Sequence, residues 1–149
     1  MNIRKHQDQI TELYRRGEYE AAKEKFEDLI SFFEETDRID QLDYWEALLG
    51  LGSLNQKNLQ DLSAAENCWK KLVSLVGSAE EAIELDSESF DVYTQGLLLL
   101  AFVQRDTGKL NDAEKNLRLL REIAVETRGE TSADVKAIDG HLAALPRKN

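Results

Sequence analysis

The residue types that most often carry chemistry are few and scattered in this chain of 149 residues. Its two histidines, His6 and His141, stand near opposite ends, and its only cysteine is Cys68. A nucleophile needs a base within hydrogen-bond reach, and no local spacing pairs Cys68 with either histidine. A di-iron bundle requires Glu-x-x-His pairs and a zinc protease requires His-Glu-x-x-His; neither pattern occurs, nor does an EF-hand sequence. Gly50-Leu51-Gly52-Ser53 resembles half of a phosphate-cradling loop, but no strand pattern precedes it and it lies inside a helical rhythm. There the two glycines predict close approach of a neighbouring helix or a groove kept open. Carboxylates are abundant, yet on helices they form solvated faces rather than acid–base pairs. The expectation is a protein with no enzymatic activity, no cofactor, no metal and no small-molecule substrate. Cys68 is expected to serve as a small core residue.

The elements that position these residues are helices. Apolar residues recur at alternating steps of 3 and 4, the signature of a stripe along a 3.6-residue helix. Ile3, His6, Ile10 and Leu13 predict a first helix over residues 2–16, with Gly17 making the reversal. Tyr19, Ala22, Phe26, Leu29 and Phe33 predict a second, from Glu18 to about Thr36, and Asp37 to Asp40 a joint and cap. The third carries Leu42, Trp45, Leu49 and Gly52, with Leu48 beside them. The fourth carries Leu62, Ala65, Trp69, Leu72 and Val76, and either kinks at Gly77-Ser78 and runs on to Leu85 or breaks there. Asp86 to Ser89 supply caps for a fifth helix with Phe90, Tyr93, Leu97 and Leu100. After Gly108, suited to left-handed backbone angles, the sixth shows Leu110, Ala113, Leu117, Leu120 and Ala124. Thr131 or Ser132 caps a seventh, with Val135, Ile138, Leu142 and Leu145, a polar outer face and a stop before Pro146. The second-helix stripes begin at Tyr19, Leu62 and Leu110, spacings of 43 and 48 residues that mark stacked helix pairs. A single all-α domain over residues 1–149 is expected, made of three hairpins and a C-terminal capping helix, about seven helices in all.

Charge narrows the partners. The net charge is −10, and such a field repels phosphate backbones and anionic lipids, so neither nucleic acid nor membrane is expected. The longest apolar run, Leu97 to Val103, is far short of the ~20 residues of a bilayer span. A lone cysteine and an N-terminal stretch without the apolar core of a signal peptide predict a cytoplasmic protein.

Gly17-Glu18-Tyr19-Glu20-Ala21-Ala22-Lys23-Glu24-Lys25-Phe26 resembles the turn and second helix of the tetratricopeptide repeat, TPR. Gly108, Leu110, Ala113 and Leu117 match at the same spacing, as do Leu62, Ala65 and Trp69, with Gln60 in place of the glycine. The longer period is similar to the roughly 42-residue variant of kinesin light chains and many bacterial proteins. The resemblance implies an α–α superhelix whose first helices line a concave peptide-binding face. By alignment with that family the groove candidates are Gln7, Thr11, Tyr14, Glu46, Gly50, Ser53, Thr94, Leu98 and Phe102. Tyr14, Leu98 and Phe102 are foremost, because they are apolar and off the core stripe. The alternative is that the fifth helix buries Leu98 and Phe102 against its neighbours. The function implied is a protein–protein interaction module, an adaptor or small chaperone holding a peptide segment. Alternatives are a homodimer formed through exposed apolar edges that include Phe32 and Leu119, and a chaperone of the type III secretion kind.

Overall fold

The computed structural model describes residues 1–146, and all regular structure among them is helical. Eight helices follow in order: α1 Ile3–Arg15, α2 Tyr19–Glu35, α3 Leu42–Lys57, α4 Leu62–Val73, α5 Ala79–Ile83, α6 Ser87–Asp106, α7 Leu110–Arg128 and α8 Ala133–Ala143. The chain forms two compact units, one of Met1–Lys71 and a second that begins at Leu72. The architecture is all-α and built from helical hairpins.

The turns that make the hairpins share one backbone device. Gly17 has φ +76° and Gly108 φ +81°. Each lets the following amide reach back five residues, Glu18 N to Leu13 O at 2.9 Å and Lys109 N to Gln104 O at 2.8 Å. These are the long bonds of a Schellman cap, which satisfies the last carbonyls of a helix as the chain turns away. Asp37 (φ +54°) and Gln60 (φ +53°) adopt left-handed angles without being glycine. Asp37 is therefore the αL residue after α2, where Arg38 N bonds Phe33 O at 2.8 Å. It does not cap α3; Gln41 stands there, without a side-chain bond.

Helix starts follow the polar residues. Asn2, Asp61, Ser78, Asp86 and Ser132 each accept a hydrogen bond from the backbone amide three residues on. Ser132 rather than Thr131 thus caps α8. Ser78 resolves the ambiguity at the end of α4, because its cap begins a separate short helix, and this break gives eight helices instead of about seven. Gly77 N also donates to Glu81 Oε2 at 2.8 Å, closing that turn.

In the first unit α2 packs on α1 and on α3. The stripe expected for α3 was too narrow. Leu49 is only half-buried, while Tyr44, Ala47, Leu48, Leu51 and Leu54 are buried with Trp45 and Gly52. The reason is that α3 is contacted on two sides, Phe26 of α2 lying against Gly50 and Trp69 of α4 against Gly52. A helix covered twice has no single apolar face for periodicity to reveal. In the second unit α7 packs against α6, and both α5 and α8 pack on α7. Leu97, Val103, Leu117, Ile123 and Val135 are almost wholly buried there. Each such side chain contributes roughly 1.5–3 kcal/mol by leaving water.

Candidate functional site

Each unit carries hollows. In the second unit one lies between α6, α7 and α8, with a volume of about 300 Å³, and a more polar one of about 540 Å³ is bordered by Leu110, Glu114, Arg118 and Leu142. The walls of the first of these follow from helical spacing. Asp91, Thr94 and Leu98 are steps of 3 and 4 along α6; Leu120, Ile123 and Thr127 do the same on α7, and Asp134, Ala137 and His141 on α8. The floor is apolar, with Leu120, Ile123, Ala124 and Ile138 buried and Leu98 half-buried beside them. The rim is polar. Arg128 and Asp134 form an exposed ion pair at 3.6 Å across the α7–α8 turn. Thr94 donates its hydroxyl proton to Phe90 O (3.0 Å) or Asp91 O (3.2 Å), and Thr127 donates to Ile123 O (2.8 Å).

Of the residues singled out from sequence, Thr94 and Leu98 line this hollow and Phe102 lies outside its lining. One turn along α6, the Phe102 ring meets the imidazole of His141 edge-on at 4.9 Å, and the Arg105 guanidinium sits 4.7 Å from its centroid. Phe102 is thus half-buried by contacts within its own unit, a relation local sequence could not supply because His141 lies 39 positions further along the chain. Asp91, Gln95, Asp134, Ala137 and His141 were not expected as groove residues; Asp134 and His141 belong to the polar face of the last helix, expected to meet water, and instead line the hollow. Asp91 shares the side of α6 that bears Thr94 and Leu98, and it ends an acidic stretch without a basic residue; those were the signals available. Nothing local says which side of α8 faces α6.

The first unit gathers Tyr14, Gly50 and Ser53, with Thr11, Phe26 and Lys57, around a hollow of about 290 Å³. Tyr14 is 47% exposed and packs edge-on against Tyr19 at 5.4 Å. Glu46 is exposed and borders a smaller neighbouring hollow of about 240 Å³ with Gln7 and Thr11. There Gln7 Nε2 donates to Asp43 Oδ1 at 3.0 Å, joining α1 to α3.

Reactive groups are muted. Burial pushes the Cys68 thiol up to about 11, so at neutral pH it is protonated and a poor nucleophile. Its sulfur accepts a long contact, 4.0 Å, from the Asn55 amide. Tyr93 is fully buried and its phenol is pushed up to about 12 by that burial. His6 Nδ1 lies 3.2 Å from the carbonyl of Asn2, within α1's own first turn. Among the described residues, no group of three or more His, Cys, Asp or Glu side chains could hold a metal ion. No helix among them is long and apolar enough to cross a membrane.

By architecture the chain is an all-α helical-repeat protein, with an open, apolar-floored hollow in each unit. No protein-family model matches it, and no curated protein matches it either.

Proposed function

We propose that this protein is a non-catalytic interaction module of the tetratricopeptide type that holds a peptide segment of a partner protein. The observation that carries the reading is the hollow bounded by α6, α7 and α8. It is apolar at the floor, polar at the rim and open to solvent. Pockets of this make-up recognise ligands by burying an apolar group and orienting it with a few polar contacts. The αL turns at Gly17, Gln60 and Gly108 support the repeat assignment, because they fall where the tetratricopeptide pattern puts its glycine. The lone protonated thiol and the acidic surface suit a cytoplasmic adaptor or small chaperone.

Selection from a random peptide library against the full-length chain tests this. Selected peptides should bind with Kd in roughly the micromolar range. Leu98→Glu should weaken them at least about tenfold by placing a charge on the apolar wall. Tyr14→Glu probes the first unit in the same way. The proposal is wrong if no peptide binds saturably, or if binding survives both substitutions in variants that unfold as the wild type does.

A further inference from the structure

We infer that the α6–α7–α8 hollow takes a partner segment bearing one bulky apolar side chain, aromatic or long aliphatic, flanked by lysine or arginine. This rests on the interaction reading above and adds the chemistry of the partner. Size comes first: about 300 Å³ is the small end for ligand pockets, enough for one large side chain and too little for a helix. The floor of Leu120, Ile123, Ala124 and Ile138 demands that this side chain be apolar.

Hydrogen-bonding capacity gives the second constraint. The protons of Thr94 and Thr127 are already donated to backbone carbonyls of their own helices, so both hydroxyls present lone pairs to an occupant. Asp91 adds a carboxylate. Thr94, Thr127 and Asp91 thus offer acceptors to a donor on the occupant, such as an indole N–H or an ammonium group, while Gln95 and His141 can serve in either sense. The one guanidinium at the rim, that of Arg128, is paired with Asp134.

Charge gives the third. From Leu72 to Gln104 the sequence has no basic residue and holds six carboxylates, Glu80, Glu81, Glu84, Asp86, Glu88 and Asp91. Asp86 is committed to capping α6 and Glu81 to the Gly77 amide. Glu88 lies one turn before Asp91 on the same side of α6, and Gln95 continues that line, so the negative charge runs on from the rim of the hollow. A segment with acidic flanks, or a phosphate, meets repulsion there; one with basic flanks is drawn in and held.

The test uses three synthetic nonapeptides: a central tryptophan with two lysines on each side and glycine elsewhere, the same with glutamate for lysine, and the same with serine for tryptophan. Each is titrated into the ¹⁵N-labelled full-length chain at low salt and followed by NMR. The lysine–tryptophan peptide should bind at least about tenfold tighter than either control. Its shifts should centre on Thr94, Leu98, Ala137 and His141. Leu98→Gln should weaken it about tenfold, and Glu88→Gln with Asp91→Asn about fivefold, with a flatter salt dependence. Equal binding of the serine peptide, shifts scattered away from the hollow, equal binding of the glutamate peptide, or no binding at all would each overturn the inference. Library peptides that bind at Leu98 yet carry acidic flanks would sink this inference alone. An empty selection would remove the interaction reading beneath it.

Discussion

The indole of Trp69 occupies the space that a side chain at Gly52 would need. A Cβ at position 52 would collide with Nε1, Cε2 and Cδ1 of that ring. The same nitrogen donates to Leu49 O at 3.3 Å, so the ring is tied to the helix it presses against. Trp69 has no solvent exposure.

Gly52→Ala should therefore destabilise the protein by about 2 kcal/mol, overpacking outweighing the roughly 1 kcal/mol that alanine gains over glycine in a helix. Gly50→Ala meets only the edge of Phe26, at 3.0 Å, and Phe26 is half-buried and able to shift. Its net effect should lie within about 0.5 kcal/mol of zero. Urea unfolding followed by tryptophan fluorescence measures both. Equal effects at the two positions would refute the close approach at Gly52.

Backbone strain at the turns predicts opposite signs for opposite substitutions. Gln60 sits at φ +53° and should be relieved by Gln60→Gly, a gain of about 0.5 kcal/mol after the added entropy of the unfolded chain is subtracted. Gly17→Ala and Gly108→Ala, at φ +76° and +81°, should each lose about 1 kcal/mol. Their Cβ atoms would touch nothing, so the loss would report backbone conformation alone. Thermal unfolding of the three variants decides it.

Cys68 predicts an alkaline limb in stability. Burial raises its folded pKa to about 11, with Lys71 and the Asn55 hydrogen bond opposing more weakly. A raised folded pKa means that stability is full below the unfolded thiol value, about 8.5, and is lost as pH climbs towards the folded one. The loss should reach about 2 kcal/mol and be absent from Cys68→Ala. At pH 8 the native thiol should react with Ellman's reagent far more slowly than the urea-unfolded chain does; equal rates would contradict the burial.

The carboxylate of Glu34 predicts an acid limb. Its partial burial acts to raise its pKa, but hydrogen bonds from Lys71 at 2.9 Å and the Tyr44 hydroxyl at 2.7 Å outweigh this and lower it. A depressed folded pKa gives stability that is present above the ordinary carboxylate value and lost as pH falls through the acid range. The side chain of Glu34 is 37% exposed, so solvent screening holds the effect below about 1 kcal/mol. A double-mutant cycle of Glu34→Gln and Tyr44→Phe at pH 7 and pH 3 should show coupling only at the higher pH.

Much of the secondary structure was legible from residue rhythm. The 3-4 spacing of Leu110, Ala113, Leu117 and Leu120 marks α7, and all but Leu110 of these are buried. The rhythm misled where a helix is covered on two sides. In α6, Val92, Gly96, Ala101, Val103 and Gln104 are buried beyond the expected Tyr93, Leu97 and Leu100, while Phe90, expected with them, is only half-buried. Gln104 is an instance of a polar residue that periodicity assigns to the surface, yet Asn116 Nδ2 of α7 donates to its Oε1 at 2.7 Å and allows its burial. Of the residues bordering the α6–α7–α8 hollow, Thr94 and Leu98 were reachable from sequence because they share a side of one helix. The contribution of α8 was not.

The sequence by itself determined where helices start, stop and turn, because caps, glycine angles and apolar spacing act between residues a few positions apart. It also determined that one cysteine and two distant histidines offer no local reactive pairing. Only the tertiary structure decided that Trp69 fills the gap at Gly52, that His141 covers Phe102, and that α8 closes a hollow over Leu98. Those relationships join residues 17, 39 and 43 or so positions apart, and their distances depend on how whole side chains interlock across helices rather than on any local backbone preference.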